Sequence, residues 1–284
     1  MARNSPRILD DDDEYDIASS MLNACGLDFE DFFLNERILT RENLEKNFQI
    51  LLNMVKNRSF LKATYFVIGY FILITGSRLP EDLRVKILDN TRWDKEEIYW
   101  SRKEDKIERQ IYLKDFCEKI NNHIPGRILH PIRLIYFNGD QSLYTSHRSE
   151  VIIGLNELEA RVNSKDFYNI HHILLQGEGL ERIPDSLYKF INLQSLSLEF
   201  NQIKFIPEIF TKLTSLKTLY LNYNEFIMFP EILIKLPLLK FLSLDNNYIT
   251  KLPESLKKFN SLERLSIRMN NINKVPSFLS NVNY

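Results

Sequence analysis

The sequence predicts an α/β solenoid of five repeated units, each contributing one strand to a parallel sheet, preceded by a mainly α-helical N-terminal domain. Three observations predict this fold class. Residues 170–284 repeat with a 23-residue period. Each unit carries alternating apolar residues typical of a short, half-buried strand, whereas residues 17–130 show the apolar spacing of helices.

Composition and charge exclude several classes of protein. Of the 284 residues, 44% are hydrophobic and 26% are charged, which excludes wholesale disorder. Lys plus Arg number 37 and Asp plus Glu 38, a net charge of -1 that gives no electrostatic reason to expect a nucleic-acid partner. The two cysteines exclude a disulfide framework and a four-cysteine zinc site. We expect no cofactor and no metal.

The N-terminus lacks the pattern of a secretory signal. Residues 10–14 are all acidic, where such a signal has its apolar stretch. We expect residues 1–16 to form a solvated, disordered acidic tail, and the protein to be cytoplasmic.

Residues 17–130 are predicted to form a helical domain. Thr40 can cap a helix that runs to about Asn57. Residues 60–75 are apolar on all sides of a helix and are predicted to form the buried helix of this domain. Pro80 begins a third helix. Residues 101–104 match a capping box that starts a fourth helix, which runs to about Asn121.

Two segments join the helical domain to the repeats. Residues 131–148 are interpreted as a hairpin or linker, because Asn138-Gly139 is a typical two-residue turn. Residues 149–169 are predicted to form a helix that caps the solenoid. Their apolar residues recur at helical spacing, at Ile152, Leu155, Leu158 and Val162.

Five units follow without slippage, at residues 170–192, 193–215, 216–238, 239–261 and 262–284. Apolar residues occupy positions one, four and six of each unit, as in Leu193, Leu196 and Leu198. Position nine is asparagine in four units, at Asn201, Asn224, Asn247 and Asn270. Position fifteen is always proline, at Pro184, Pro207, Pro230, Pro253 and Pro276.

These columns resemble the leucine-rich repeat family in its 23-residue form, LxxLxLxxNxLxxLPxxLxxLxx, over residues 170–284. The resemblance does not extend to residues 1–148. It implies a curved solenoid with one short parallel strand per unit. It also implies that the concave strand face binds other proteins.

Each column also has a physical reason. A lone unit cannot bury its leucines, so stacking is required to make a continuous core. Asparagine suits the bend after each strand, because its side chain bonds backbone groups. An acidic residue follows the proline in four units and a lysine stands four residues later, as in Glu208 and Lys212. We interpret these as local pairs on the outer face.

Candidate binding residues lie at the strand positions that the repeat does not require to be apolar. We call this surface, formed by positions three, five, seven and eight, the strand face. Exposed aromatic and methionine side chains bordered by charge are typical of interfaces. The predicted contact residues are Phe200, Tyr220, Tyr223, Phe241 and Met269, with Glu199, Asn222, Asp245, Arg264 and Arg268 as the polar border.

No polar cap follows the fifth unit. Solenoid ends expose core residues unless they are covered. Three outcomes stay open for this end: a frayed last unit, a truncated chain, or self-association through the uncapped repeat.

These patterns predict a non-enzymatic protein-interaction protein that acts as a regulator or adaptor in signalling. The resemblance alone suggests a small GTPase as the class of partner. One alternative is an effector enzyme of the ubiquitin-ligase type, with Cys25 or Cys117 as nucleophile. A second is a membrane-associated adaptor that uses residues 63–77, although about 15 uncharged residues fall short of the roughly 20 that span a bilayer.

Overall fold

The computed structural model describes residues 12–57, 62–100, 102–132 and 150–273. The chain divides into two compact bodies, residues 1–135 and 136–284, which we call the N-terminal domain and the repeat domain. The described residues do not include the predicted hairpin at 131–148, apart from residues 131 and 132. They also do not include the last part of the fifth unit, which contains Pro276.

The described part of the N-terminal domain is helical, as predicted. Two short 3₁₀ turns, Glu36–Ile38 and Glu97–Tyr99, accompany the α-helices. The α-helices are α1 (Asp12–Ala24), α2 (Phe29–Leu34), α3 (Arg41–Asn57), α4 (Lys62–Thr75), α5 (Glu81–Asn90), α6 (Trp93–Glu96) and α7 (Lys103–Asn121).

Helix α1 corrects the predicted extent of the acidic tail. The tail was expected to reach residue 16, but the helix begins at Asp12. Its Glu14 is only 2% exposed, and a carboxylate oxygen lies 3.7 Å from Nη2 of the equally buried Arg109. Because burying a charge is unfavourable unless it is paired, Arg109 accounts for an acidic residue inside the domain.

The central helix α4 is buried along almost its whole length, as its apolar sequence predicts. Residues 63–73 are all buried. Gly69 permits the close approach of α7, since a Cβ atom there would lie 2.7 Å from Cζ of Phe116. None of the helices in the described ranges has the length and hydropathy needed to cross a membrane.

Two predicted helix starts differ in detail from the structure. The helix beginning after Thr40 is confirmed as α3, and the Thr40 hydroxyl accepts a hydrogen bond of 3.2 Å from the Asn43 amide. Pro80 is the N-cap of α5 rather than a residue of its first turn. Helix α7 has Arg102 at its N-cap, and Ser101, the predicted cap, lies outside the described residues.

The repeat domain contains a parallel sheet of six strands in chain order. Neighbouring strands from β2 onward pair with a constant offset of 23 residues, for example Thr218 with Phe241 and Phe241 with Arg264. The strands are β1 (Val151–Ile153), β2 (His172–Leu174), β3 (Ser195–Ser197), β4 (Thr218–Tyr220), β5 (Phe241–Ser243) and β6 (Arg264–Ser266).

Strand β1 corrects the prediction that residues 149–169 are a simple cap helix. Only Gly154–Ser164 forms the helix, α8, while Val151–Ile153 pairs with β2. All three β1 residues are buried, and Val151, Ile152 and Ile153 are β-branched, which favours a strand. The cap therefore continues the sheet as well as contributing a helix.

The asparagine column stabilises the bends, as predicted. The side-chain amide of Asn224 donates to the backbone carbonyls of Leu198 (2.9 Å) and Leu221 (3.1 Å). Its Oδ1 accepts from the backbone amide of Ile203 at 3.0 Å. Asn201, Asn247 and Asn270 make the equivalent bonds. Each asparagine thus ties its own unit to the preceding one.

The segments after the four described prolines of the column are 3₁₀ helices: Asp185–Lys189, Glu208–Lys212, Glu231–Lys235 and Glu254–Lys258. The predicted pairing of each acid with the lysine four residues later is therefore wrong, because three residues per turn place i and i+3 on one side. Glu208 instead pairs with Lys235 of the next unit at 3.2 Å, and Glu254 pairs with Lys257.

Candidate functional site

The strand face brings the predicted aromatic residues together in two groups. The rings of Phe200 and Tyr223 stack with centroids 4.3 Å apart and an interplanar angle of 12°. The rings of Tyr220 and Phe241 lie 5.0 Å apart on neighbouring strands. All four side chains are partly exposed, so each pair presents apolar surface to solvent.

The first aromatic group lies at backbone positions that favour glycine. Position eight of every unit is left-handed, with φ between 53° and 63°. The residues there are Gly177, Phe200, Tyr223, Asn246 and Met269. A left-handed conformation costs a residue with a Cβ atom roughly 1–2 kcal/mol, and asparagine and glycine tolerate it best. Phe200, Tyr223 and Met269 therefore stand at positions where a side chain costs conformational energy and gives the backbone no benefit.

Position seven forms a hydrogen-bonded polar ladder across the strands. The ladder runs through Gln176, Glu199, Asn222 and Asp245. The Gln176 amide donates to Glu199 at 3.1 Å, and the Asn222 amide donates to the other Glu199 oxygen at 2.7 Å. Asn222 Oδ1 then accepts from the backbone amide of Asp245 at 2.8 Å. The polar residues thus support one another across neighbouring units.

The prediction that Glu199 lies on the open surface is wrong. Glu199 is only 3% exposed, and its carboxylate is bonded within the ladder to Gln176 and Asn222. Ser197 also donates to its carboxylate, at 3.0 Å. Burial, with a smaller contribution from Asp245, raises the pKa of Glu199, while the bonds from Asn222 and Ser197 lower it. Glu199 therefore lies beneath the strand face and links the neighbouring units through Gln176 and Asn222.

Asp245 is half-buried, and its carboxylate also has partners within the fold. The Ser266 hydroxyl donates to Oδ1 at 2.7 Å and lies 2.8 Å from Oδ2, and the Arg268 backbone amide donates to Oδ1 at 2.6 Å. Both of its carboxylate oxygens therefore lie within hydrogen-bonding distance of donors in the next unit.

The cationic residues of the face have a different environment. Arg264 and Arg268 are both exposed, and among the described residues no carboxylate forms an ion pair with either guanidinium. Cζ of Arg264 lies 5.9 Å from the centroid of the Phe241 ring, which is within the range of a cation–π contact. Met269, which follows Arg268, is 69% exposed.

A further apolar patch was not predicted from the sequence. Phe205, Ile227 and Met228 are between 61% and 77% exposed. They occupy positions twelve and thirteen of the second and third units, just before the proline column. Comparing these positions between units would have identified them, since the other units carry polar residues there, such as Arg182 and Lys251.

The two cysteines lack the environment of an activated nucleophile. Cys25 is buried, and burial raises the pKa of its thiol. Burial also raises the pKa of Cys117, whose Sγ lies 3.2 Å from the Thr91 hydroxyl. Because the thiolate is the nucleophilic form, these surroundings oppose the role that the ubiquitin-ligase alternative requires.

Comparison with protein families gives the class of the repeat domain. A family profile described as two copies of leucine-rich repeats matches residues 191–232, and a single leucine-rich repeat profile matches residues 238–259. Residues 191–259 are leucine-rich repeats. Leucine-rich repeat domains generally mediate protein–protein interactions. The predicted solenoid, preceded by a helical domain, is thereby confirmed.

Two solved structures are similar to part of this chain. A leucine-rich repeat protein of Leptospira interrogans is 29% identical over 38% of this chain and 28% of its own, with a TM-score of 0.36. Internalin C2 of Listeria monocytogenes is 22% identical over 43% of this chain and 62% of its own, also with a TM-score of 0.36. The chain therefore spans less than two thirds of either. No match is found among curated proteins.

Proposed function

We propose that this protein is a non-enzymatic interaction protein that binds a protein partner on the strand face of its leucine-rich repeats. The single observation that carries the proposal is the presence of Phe200 and Tyr223 at left-handed positions. Glycine and asparagine occupy the same position in two other units, so the fold does not need these rings. Partner binding gives them a role.

The second aromatic group supports the same proposal. Tyr220 and Phe241 contact each other, and large partly exposed rings are typical anchors of protein interfaces. The polar ladder beneath them preorganises the surface, so that little entropy is lost when a partner binds. Glu199 and Asn222 thus act in the proposed site mainly as support, and Asp245 contributes through its partly exposed carboxylate.

We further propose that the protein acts in the cytoplasm as an adaptor or regulator in signalling. The free thiols of Cys25 and Cys117 support a reducing compartment. A small GTPase as partner rests on the family resemblance alone.

The test is a double substitution, Tyr220→Ala with Phe241→Ala, in the full chain. Affinity purification from the native cells, followed by quantitative mass spectrometry, should show at least a tenfold loss of the specific partner. Thermal unfolding by circular dichroism should stay cooperative, since both rings are partly exposed.

The matched control removes two apolar side chains elsewhere on the repeat domain, through Phe205→Ala with Met228→Ala. This control should retain the partner. If the strand-face variant retains its partner while the control loses it, the strand face is not the site and the proposal is wrong.

A further inference from the structure

We propose that the strand face recognises an acidic polypeptide segment, whose carboxylates are bound by Arg264 and Arg268 beside the apolar side chains of Phe241 and Met269. This inference rests on the proposed function, because it names the chemistry of a partner for that surface.

The first argument comes from the acidic side chains of the face. Glu199 accepts hydrogen bonds from Gln176, Ser197 and Asn222 and is buried. Asp245 accepts from Ser266 and from the Arg268 backbone. Both carboxylates therefore already have partners within the fold. Neither carboxylate forms an ion pair with Arg264 or Arg268, so both guanidinium groups keep their donors for a partner.

The second argument comes from the arginines. Each guanidinium carries five N–H donors in a planar fork that matches a carboxylate. Both side chains are exposed, and the described part of the chain offers neither of them a carboxylate partner. The strand face thus presents positive charge with unused donors, although the protein as a whole carries a net charge of -1.

The apolar neighbours strengthen this site. Arg264 lies over the Phe241 ring, which limits the orientations of its guanidinium before a partner binds. Met269 stands next to Arg268 and is mostly exposed, and methionine adapts readily to varied apolar partners. An acidic segment that also carries apolar residues would engage both features.

The same chemistry favours a polypeptide over a nucleic acid. Proteins that bind single-stranded nucleic acid track its backbone along a continuous basic groove. The strand face offers two arginines at one end, and the other four units carry no lysine or arginine at positions three, five, seven or eight, so there is no continuous basic track. Binding of an oligonucleotide is therefore an outcome that would count against the proposal.

The experiment is a selection from a random 12-residue peptide display library on the immobilised full chain. The expected result is enrichment of peptides that carry Asp or Glu near an apolar residue. A fluorescein-labelled selected peptide should bind at least tenfold more weakly to the Arg264→Gln, Arg268→Gln double variant, and its affinity should fall as salt rises.

The matched control removes the same charge from another surface. Arg182→Gln with Lys251→Gln replaces two exposed cations outside the strand face and should leave the peptide affinity unchanged. Equal losses in both double variants would indicate a general charge effect and overturn the proposal. So would failure to enrich acidic peptides, or tighter binding of a fluorescein-labelled poly(U) oligonucleotide that depends on Arg264 and Arg268.

Failure of this inference is distinguishable from failure of the proposed function. Selected peptides without acidic enrichment that still require Tyr220 and Phe241 would reject only the acidic chemistry. Peptides that require neither the aromatic pair nor the arginines would reject the strand face itself.

Discussion

At the scale of single residues, the left-handed position eight separates what the fold needs from what the proposed binding needs. Phe200, Tyr223 and Met269 occupy the same backbone geometry as Gly177 and Asn246. The sequence predicted these three side chains as contact residues from their size alone. Their left-handed backbone conformation could not be predicted from the sequence, because it depends on the geometry of the bend that follows each strand.

We expect Tyr223→Asn to change the free energy of unfolding by no more than about 1 kcal/mol. Relief of the left-handed strain offsets the lost stacking on Phe200, which is worth about 0.5–1.5 kcal/mol. Tyr223→Val should destabilise by about 1–2 kcal/mol more than Tyr223→Asn, because a β-branched residue fits this conformation poorly. Urea unfolding followed by circular dichroism measures both. A loss of about 2–5 kcal/mol for Tyr223→Asn would instead mark the ring as part of the core.

At the scale of elements, the burial of Glu199 within the polar ladder makes the stability of the repeat domain sensitive to pH. The pKa of Glu199 is raised in the folded protein, so the folded state binds its proton more tightly than the unfolded chain does. The contribution of this residue to stability is therefore greatest below the unfolded pKa. It falls as pH rises towards the folded pKa.

We expect the stability difference between the wild-type protein and Glu199→Gln to shift in favour of the variant as pH rises from about 4 to 8. The glutamine cannot ionise, so it avoids the cost of a buried carboxylate. Urea unfolding at several pH values tests this. Glu181→Gln, at an exposed loop position, serves as the control and should show a flatter difference. A difference for Glu199→Gln that is constant across this range would contradict the expectation.

The elements themselves were predicted unevenly, for physical reasons. The four predicted helices follow from apolar spacing and from cap residues, and the five repeat strands follow from strong periodicity in leucine, asparagine and proline. Strand β1 was missed because a single short apolar segment beside α8 fits a helix equally well. The 3₁₀ form of the outer segments was missed because a proline followed by an acid begins either kind of helix, and only the packing of neighbouring units selects the tighter one.

At the scale of the whole molecule, the two bodies have separate cores. One cluster of buried residues spans Ile152 to Ile267 and the other spans Ile17 to Leu129. In the repeat domain each unit packs on its neighbours, so that its stability is shared along the stack. The sequence predicted both bodies, but the first residues of α1 are too acidic to be distinguished from the predicted tail.

We expect Leu219→Ala to destabilise the repeat domain by about 2–5 kcal/mol, because Leu219 is fully buried in β4. Hydrogen exchange measured by mass spectrometry should increase across neighbouring units and stay unchanged in residues 12–132. Leu73→Ala, in the core of α4, should produce the reverse pattern. Increased exchange in both domains from either substitution would show that the two cores unfold together.

The ladder of Gln176, Glu199, Asn222 and Asp245 has a mechanical consequence. Backbone hydrogen bonds join the neighbouring strands. The side chains of the ladder add a second set of hydrogen bonds between the same units. Shifting neighbouring units relative to one another would strain both sets at once. The arrangement of these units is thus fixed in advance, so the proposed partner has to match that shape before its chemistry can matter.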